Sequence, residues 1–159
     1  MSRILALDYG SRRIGVAVTD PTLTIASPLA TLTRRVGKRP PWPEIRTILQ
    51  DQEIAEVVIG LPLDLEGEEG EWAAEVRAFG AELVRRFSLP IHWVDERLSS
   101  VMAEHAVRGI GLKRGQREEK GRVDSAAAAL ILQAFLRTRH RLNAEAAQRA
   151  SDDESGAQG

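Results

Sequence analysis

The 159-residue chain contains no cysteine, which excludes disulfides and thiolate metal sites. Its three histidines, His92, His105 and His140, lack the i,i+4 spacing that would pair them as ligands on one helix. Any resident metal must therefore sit on oxygen. Long apolar runs are also missing: the longest, AAAALIL at 126–132, has seven residues, against the ~20 that a membrane helix needs. Aromatic residues amount to only 4% of the chain, with no pair interleaved among basic residues, which disfavours a base-stacking single-strand platform. Asp8 interrupts the N-terminal region before any long apolar segment, so composition predicts a soluble, cytoplasmic protein.

What is present is a 43% hydrophobic composition, enough for one domain with a real core. We expect that domain to occupy residues 1–147, followed by a polar, disordered tail over 148–159 (ASDDESGAQG at its end). The net charge of -1 conceals a strong segregation. Lys and Arg exceed Asp and Glu by five in residues 1–42 and again by five in 105–147, while acids exceed bases by nine in 43–104. If folding joins the two basic segments, they form a surface suited to a polyanion; ordinary solvated faces are the alternative source of such counts.

The order of elements follows from periodicity. RILALD is apolar on both faces and reads as a central strand, with IGVAVTD as its hairpin partner and Gly10 free to supply a positive φ at the turn. A third strand lies within TIASPLATLTR, before the proline-rich loop RVGKRPPWPE. Helical and strand patterns then alternate: EIRTILQDQEI, EVVIGLP, GEWAAEVRAFGAELVRRF and PIHWVDE. SSVMAEHAVRGIG has helical spacing, residues 110–122 form a loop, and DSAAAALILQAFLRTRHRL is the final helix. Three antiparallel strands followed by helix-strand-helix-strand-helix predict an α/β fold with a mixed five-stranded sheet and helices on both faces.

In such a sheet the first strand and both later ones end at one edge, where open α/β sheets bind ligands. Asp8, Gly60-Leu61-Pro62 and Asp95-Glu96 mark those three ends. Each acid has a plain structural explanation when taken alone. Asp8 can close an Asx-turn onto Gly10, Glu96 can pair with Arg97 or a neighbouring basic group, and Asp124 can N-cap the final helix. Together they converge. Three ionised carboxylates within ~5 Å would repel by roughly 3 kcal/mol per pair at an effective dielectric near 20, an arrangement that Mg²⁺ or Mn²⁺ makes favourable. Two such ions suit in-line phosphodiester displacement. The candidate metal and catalytic set is therefore Asp8, Glu96 and Asp124. Alternation along IHWVDE turns Asp95 away from Glu96, and Asp64 is a further nearby acid. Candidate substrate contacts are Arg12 and Arg13 on the hairpin, Gly60 and Pro62 at a strand end with Gly67 beyond, Arg97, and the basic loop residues Lys113, Arg114, Arg117, Lys120 and Arg122.

LALDYGSRRIGVAVTD, VVIGLPLDLEGEEG, VDERLSS and RVDSAAAALILQ resemble, in order, the four signatures of the YqgF/RuvX family, Holliday junction resolvases related to RuvC within the RNase H-like superfamily. The resemblance spans residues 4 to about 137. It implies an RNase H-like fold, a metal-dependent nuclease, and two substrates: four-way DNA junctions and precursor ends of small-subunit ribosomal RNA. By motif, Asp8, Glu96 and Asp124 match the family's acidic positions. Asp64 departs from the usual asparagine and Glu68 from a small hydroxyl residue, adding negative charge beside the cleft. Paired cuts across a junction favour a homodimer.

Two other classes compete. A non-catalytic nucleic-acid adaptor in ribosome biogenesis or transcription would keep the fold and use the acids as caps. LALDYGSRRIGVAV also resembles the first phosphate loop of actin and Hsp70-like ATPases, whose architecture needs a second domain for which this chain has no room.

Overall fold

The computed structural model describes residues 2–34, 37, 39–98 and 117–156, with side chains described from 124 onward in the last segment. Strands β1 (Arg3–Tyr9), β2 (Arg13–Thr19) and β3 (Ala26–Thr33) form a meander, followed by α1 (Trp42–Asp51), β4 (Ile54–Leu61), α2 (Glu71–Phe87) and β5 (Ile91–Asp95). A 3₁₀ turn, Glu96–Leu98, follows β5, and a long helix, α3, covers Arg117–Gly156. The sheet order is β3-β2-β1-β4-β5. The meander pairs are antiparallel, and β1/β4 and β4/β5 are parallel. This is the predicted mixed sheet, with β1 at its centre.

Strand alternation divides the core in two. Leu5, Leu7, Tyr9, Ile14, Val16, Val57 and Ile59 face α1 and α2. Ile4, Ala6, Ala17, Val58 and Val94 face α3, meeting Ala127, Ala128, Ile131 and Leu132. Because β1 contributes to both clusters it is apolar on both sides, as a central strand must be. The alanine run gives α3 a thin surface, so its backbone lies close to the sheet.

Several expectations are corrected. Trp42 and Pro43, assigned by sequence to a loop, start α1; proline is tolerated in a first turn because no intrahelical partner awaits its missing N–H. Gly10 does not have a positive φ. Its N–H donates to the Arg13 carbonyl at 2.8 Å, and a Cβ there would lie 2.7 Å from that oxygen, so the turn needs glycine for space. The stretch 117–122, expected as loop, is helical backbone. The expected helix at 99–111, with Lys113 and Arg114, lies outside the described residues.

The C-terminal stretch also differs, since α3 continues through the region predicted as disordered, to Gly156. Its side chains are exposed there, so local terms hold it: alanine-rich helix formers, Arg141 and Arg149 flanking Glu145 at 3.9 and 3.8 Å, and Gln148 donating to Asp152 at 2.9 Å. Polarity alone suggested disorder; helix propensity decided otherwise. Among the described residues, no helix is long and apolar enough to cross a membrane.

Near the opposite end of the sheet, Arg139 of α3 forks onto Glu56 of β4 with two bonds of 2.9 Å, and His92 of β5 adds a contact at 3.0 Å. Hydrogen bonding from Arg139 holds the Glu56 carboxyl well below its ordinary value of 4.5, at about 2. Such a depressed carboxyl stabilises the fold fully above its unfolded-state pKa, and the contribution disappears as pH falls through the folded-state value. The melting-temperature gap between wild type and Glu56→Gln should stay constant from about pH 5 to 7 and close between about pH 4.5 and 2, as followed by circular dichroism.

Candidate active site

Asp8 occupies the last turn of the pleat in β1 and shares the parity of Ile4 and Ala6, which places it on the α3 face. Directly across β2 stands Gly15. On the β4 side the register Leu7↔Ile59 brings Gly60 alongside. Asp8 is therefore flanked on both neighbouring strands by residues without side chains.

Those two gaps are filled from elsewhere in the chain. A Cβ on Gly15 would collide with the backbone carbonyl of Asp124, and one on Gly60 would lie 2.6 Å from Ile131 Cδ1 and 2.9 Å from Glu96 Oε1. Gly15 thus seats the start of the packed part of α3, which delivers Asp124. Gly60 seats the Glu96 carboxylate, which follows β5 in the parity of Val94. All three acids are buried on one face at one sheet edge: Asp8 is 2%, Glu96 3% and Asp124 2% exposed. They come from β1, the turn after β5, and α3, and only tertiary packing brings them together.

Two of the plain structural explanations of these acids do not match the geometry. The Gly10 N–H, which an Asx-turn from Asp8 would use, is bonded to Arg13. Asp124 lies seven residues inside α3, so it is not that helix's N-cap. The Arg97 guanidinium engages Asp95, with Nη2 at 2.7 Å and Nε at 3.0 Å from Oδ2, and that hydrogen bonding lowers the Asp95 carboxyl below its usual range. Asp95 is thereby tied to Arg97 in an ion pair.

A family model described as RuvX, Holliday junction resolvase, matches residues 2–138. The chain belongs to the RuvX family. A curated relative from Koribacter versatilis, named "Putative pre-16S rRNA nuclease", is 44% identical over 137 residues, covering 86% of this chain and 88% of the relative. One of the same name from Roseiflexus sp. is 43% identical over 134 residues, covering 84% and 93%. Among solved structures, Thermus thermophilus RuvC in complex with a Holliday junction substrate matches with a TM-score of 0.52 at 22% identity, covering 88% of this chain and 96% of that one. That likeness shows the fold, which is RNase H-like. The RuvX family is thus one of nucleases, and the match to it ends within α3.

Within this RuvX domain, several predicted contact residues have structural duties. Gly60 accommodates Ile131 and Glu96, and Pro62 directly follows β4. Arg97 bridges two loops: besides Asp95 it donates to the Leu65 carbonyl at 3.4 Å, and its guanidinium would stand 3.2 Å from a Cβ on Gly67. Gly67 needs glycine twice over, because its φ is +86°. Asp64 anchors the same loop by accepting the N–H groups of Glu66 and Glu68 at 3.0 and 2.8 Å. Arg12 is exposed and Arg13 partly so at the hairpin. The direction of α3, with Ile131 at Gly60 and Arg139 at Glu56, carries the backbone of Arg117, Lys120 and Arg122 beyond the edge where the acids lie.

Sequence reasoning missed Gly15. Its signal was a glycine inside the otherwise branched strand RIGVAVT, a pattern that marks close backbone approach. Gly15→Ala and Gly60→Ala should each destabilise the protein by about 1–3 kcal/mol in urea unfolding, through overpacking. Gly156→Ala, where no atom lies within 4 Å, should stay within about 0.5 kcal/mol.

Proposed function

We propose that this protein is a divalent-metal-dependent endonuclease that hydrolyses phosphodiester bonds in structured nucleic acid. The observation carrying this reading is the burial of Asp8, Glu96 and Asp124 on one face at a strand end flanked by two glycines, against which α3 and Glu96 are seated. The names of its relatives suggest two substrates, precursor 16S ribosomal RNA and four-way DNA junctions. They share a phosphate backbone and differ in helix geometry.

The donor set fits Mg²⁺ or Mn²⁺, because it is all carboxylate oxygen. Among the described residues no group of three acidic or imidazole side chains already stands at metal-holding separation. When bound, a pair of such ions supplies an activated water and neutralises the leaving oxygen.

The remaining work belongs to the chain. Asp8 forms the rigid floor, because β1 is held by a strand on each side. Glu96 and Asp124 close over it from the 3₁₀ turn and α3. Arg12 and Arg13 at the hairpin would attract and orient phosphates without reading sequence, and Arg117, Lys120 and Arg122 add basic residues to the overhanging turns of α3. In a junction, two such sites would be arranged by a homodimer.

One preparation should cut either a synthetic four-way junction or structured precursor RNA in Mg²⁺ or Mn²⁺, and linear duplex far less. Asp8→Asn should lower that rate by at least ~100-fold while raising the melting temperature of metal-free protein, because one repelling charge is removed. Mn²⁺ should raise the wild-type melting temperature by mass action and leave Asp8→Asn unmoved. An Asp8→Asn protein that still cuts overturns the assignment. Absence of any Mn²⁺-linked stabilisation favours the non-catalytic adaptor.

A further inference from the structure

Of the three buried acids, Glu96 has the least backbone support. Asp8 lies in β1, which is paired on both sides, and Asp124 lies in a long helix, whereas Glu96 opens a three-residue 3₁₀ turn just past the end of β5. Its carboxylate is nonetheless buried against Gly60, with Oε1 and Cγ 2.9 and 3.2 Å from where a Cβ would stand. The residues on either side of it are locked together. Asp95 Oδ1 accepts the Arg97 backbone N–H at 2.9 Å, and the Arg97 guanidinium forks back onto the same carboxylate, with Nη2 at 2.7 Å and Nε at 3.0 Å from Oδ2. Residues 95 and 97 are thus tied by main chain and by side chain across Glu96.

The guanidinium is in turn seated on the loop after β4. The register Leu61↔Asp95 makes the segments after β4 and β5 leave the sheet side by side. Arg97 Nη1 donates to the Leu65 carbonyl at 3.4 Å, and both terminal nitrogens would stand 3.2 Å from a Cβ on Gly67. That loop is held by its own bonds: Asp64 Oδ1 accepts the N–H groups of Glu66 and Glu68, the Asp64 carbonyl accepts that of Gly67 at 3.0 Å, and Leu63 and Glu69 form a β-bridge. We propose that Arg97 is a positioning residue, holding the turn after β5 so that the Glu96 carboxylate faces the acidic edge as a metal ligand; this inference rests on the nuclease reading above.

The other task open to an arginine at this place is a phosphate contact, and the geometry argues against it. Its Nε, Nη1 and Nη2 are already directed at Asp95 and Leu65, and the fork onto Asp95 is a planar, two-bond pairing that lysine cannot copy. With the Arg97 side chain 33% exposed, the pair adds little to overall stability. Its effect lies in orientation, as for groups that back metal ligands from behind.

The test uses the full chain and two readouts: melting temperature against Mn²⁺ concentration, and binding of a labelled four-way DNA junction in EDTA across a salt series. Arg97→Ala should shift metal-free melting by no more than about 4 °C and need at least about tenfold more Mn²⁺ for half of the stabilisation. Arg97→Lys, which keeps the charge without the fork, should behave like Arg97→Ala. Gly67→Ala, which displaces the guanidinium and leaves its charge, should raise the Mn²⁺ requirement in the same direction. The slope of log affinity against log salt should stay unchanged in all three. A slope shallower by about one in Arg97→Ala marks a phosphate contact and overturns the proposal, as does an unaltered Mn²⁺ requirement. Wild type that gains no stability from Mn²⁺ sinks the nuclease reading and this inference with it, whereas a wild-type response that every variant retains in full sinks the positioning role alone.

Discussion

The seating of α3 against two glycines is the constraint from which the rest of the molecule follows. Gly15 admits the Asp124 carbonyl and Gly60 admits Ile131 and the Glu96 carboxylate, so the helix and the turn after β5 meet at the strand between them. That strand ends in Asp8. The close approach requires small residues on both sides, and the alanines of α3 supply the other half of it. Bulk at any of these points would separate acids that lie far apart in sequence.

The same packing explains what each sheet face can do. On the α3 face, thin residues and glycines leave room for carboxylates. On the α1/α2 face, Leu5, Leu7 and Val16 support large rings. Because β1 contributes consecutive residues to both, an acidic environment and an aromatic one adjoin at one edge without mixing. Charged groups with structural duties are kept apart from both: Asp95 with Arg97 beyond β5, and Glu56 with Arg139 toward the far end of α3.

The sheet order was legible because alternation, β-branched runs and crossover lengths all pointed to the same topology, and Asp8 stood out as a candidate because it interrupts the apolar run of β1. Other features depended on partners distant in sequence. Asp124 followed by alanines looks like a helix start, and only the structure shows helical backbone from Arg117 onward. Gly10 looks like a φ requirement but answers a steric one. Arg97 reads from sequence as a substrate cation, and its pairing with Asp95 shows only in the structure. The stacking of Tyr9, Phe79 and Trp42 was invisible because these rings come from three separate elements.

Helix α3 outlasts the domain it completes. The family match stops at residue 138, yet the helix proceeds to Gly156, and at 1.5 Å per residue those final eighteen positions form a rod of about 27 Å. Anything tethered to its tip is held at arm's length from the sheet, on a spacer whose stiffness comes from alanine and alternating charge instead of a core. Evolution can lengthen or trim that spacer one turn at a time without disturbing the acids at the other end.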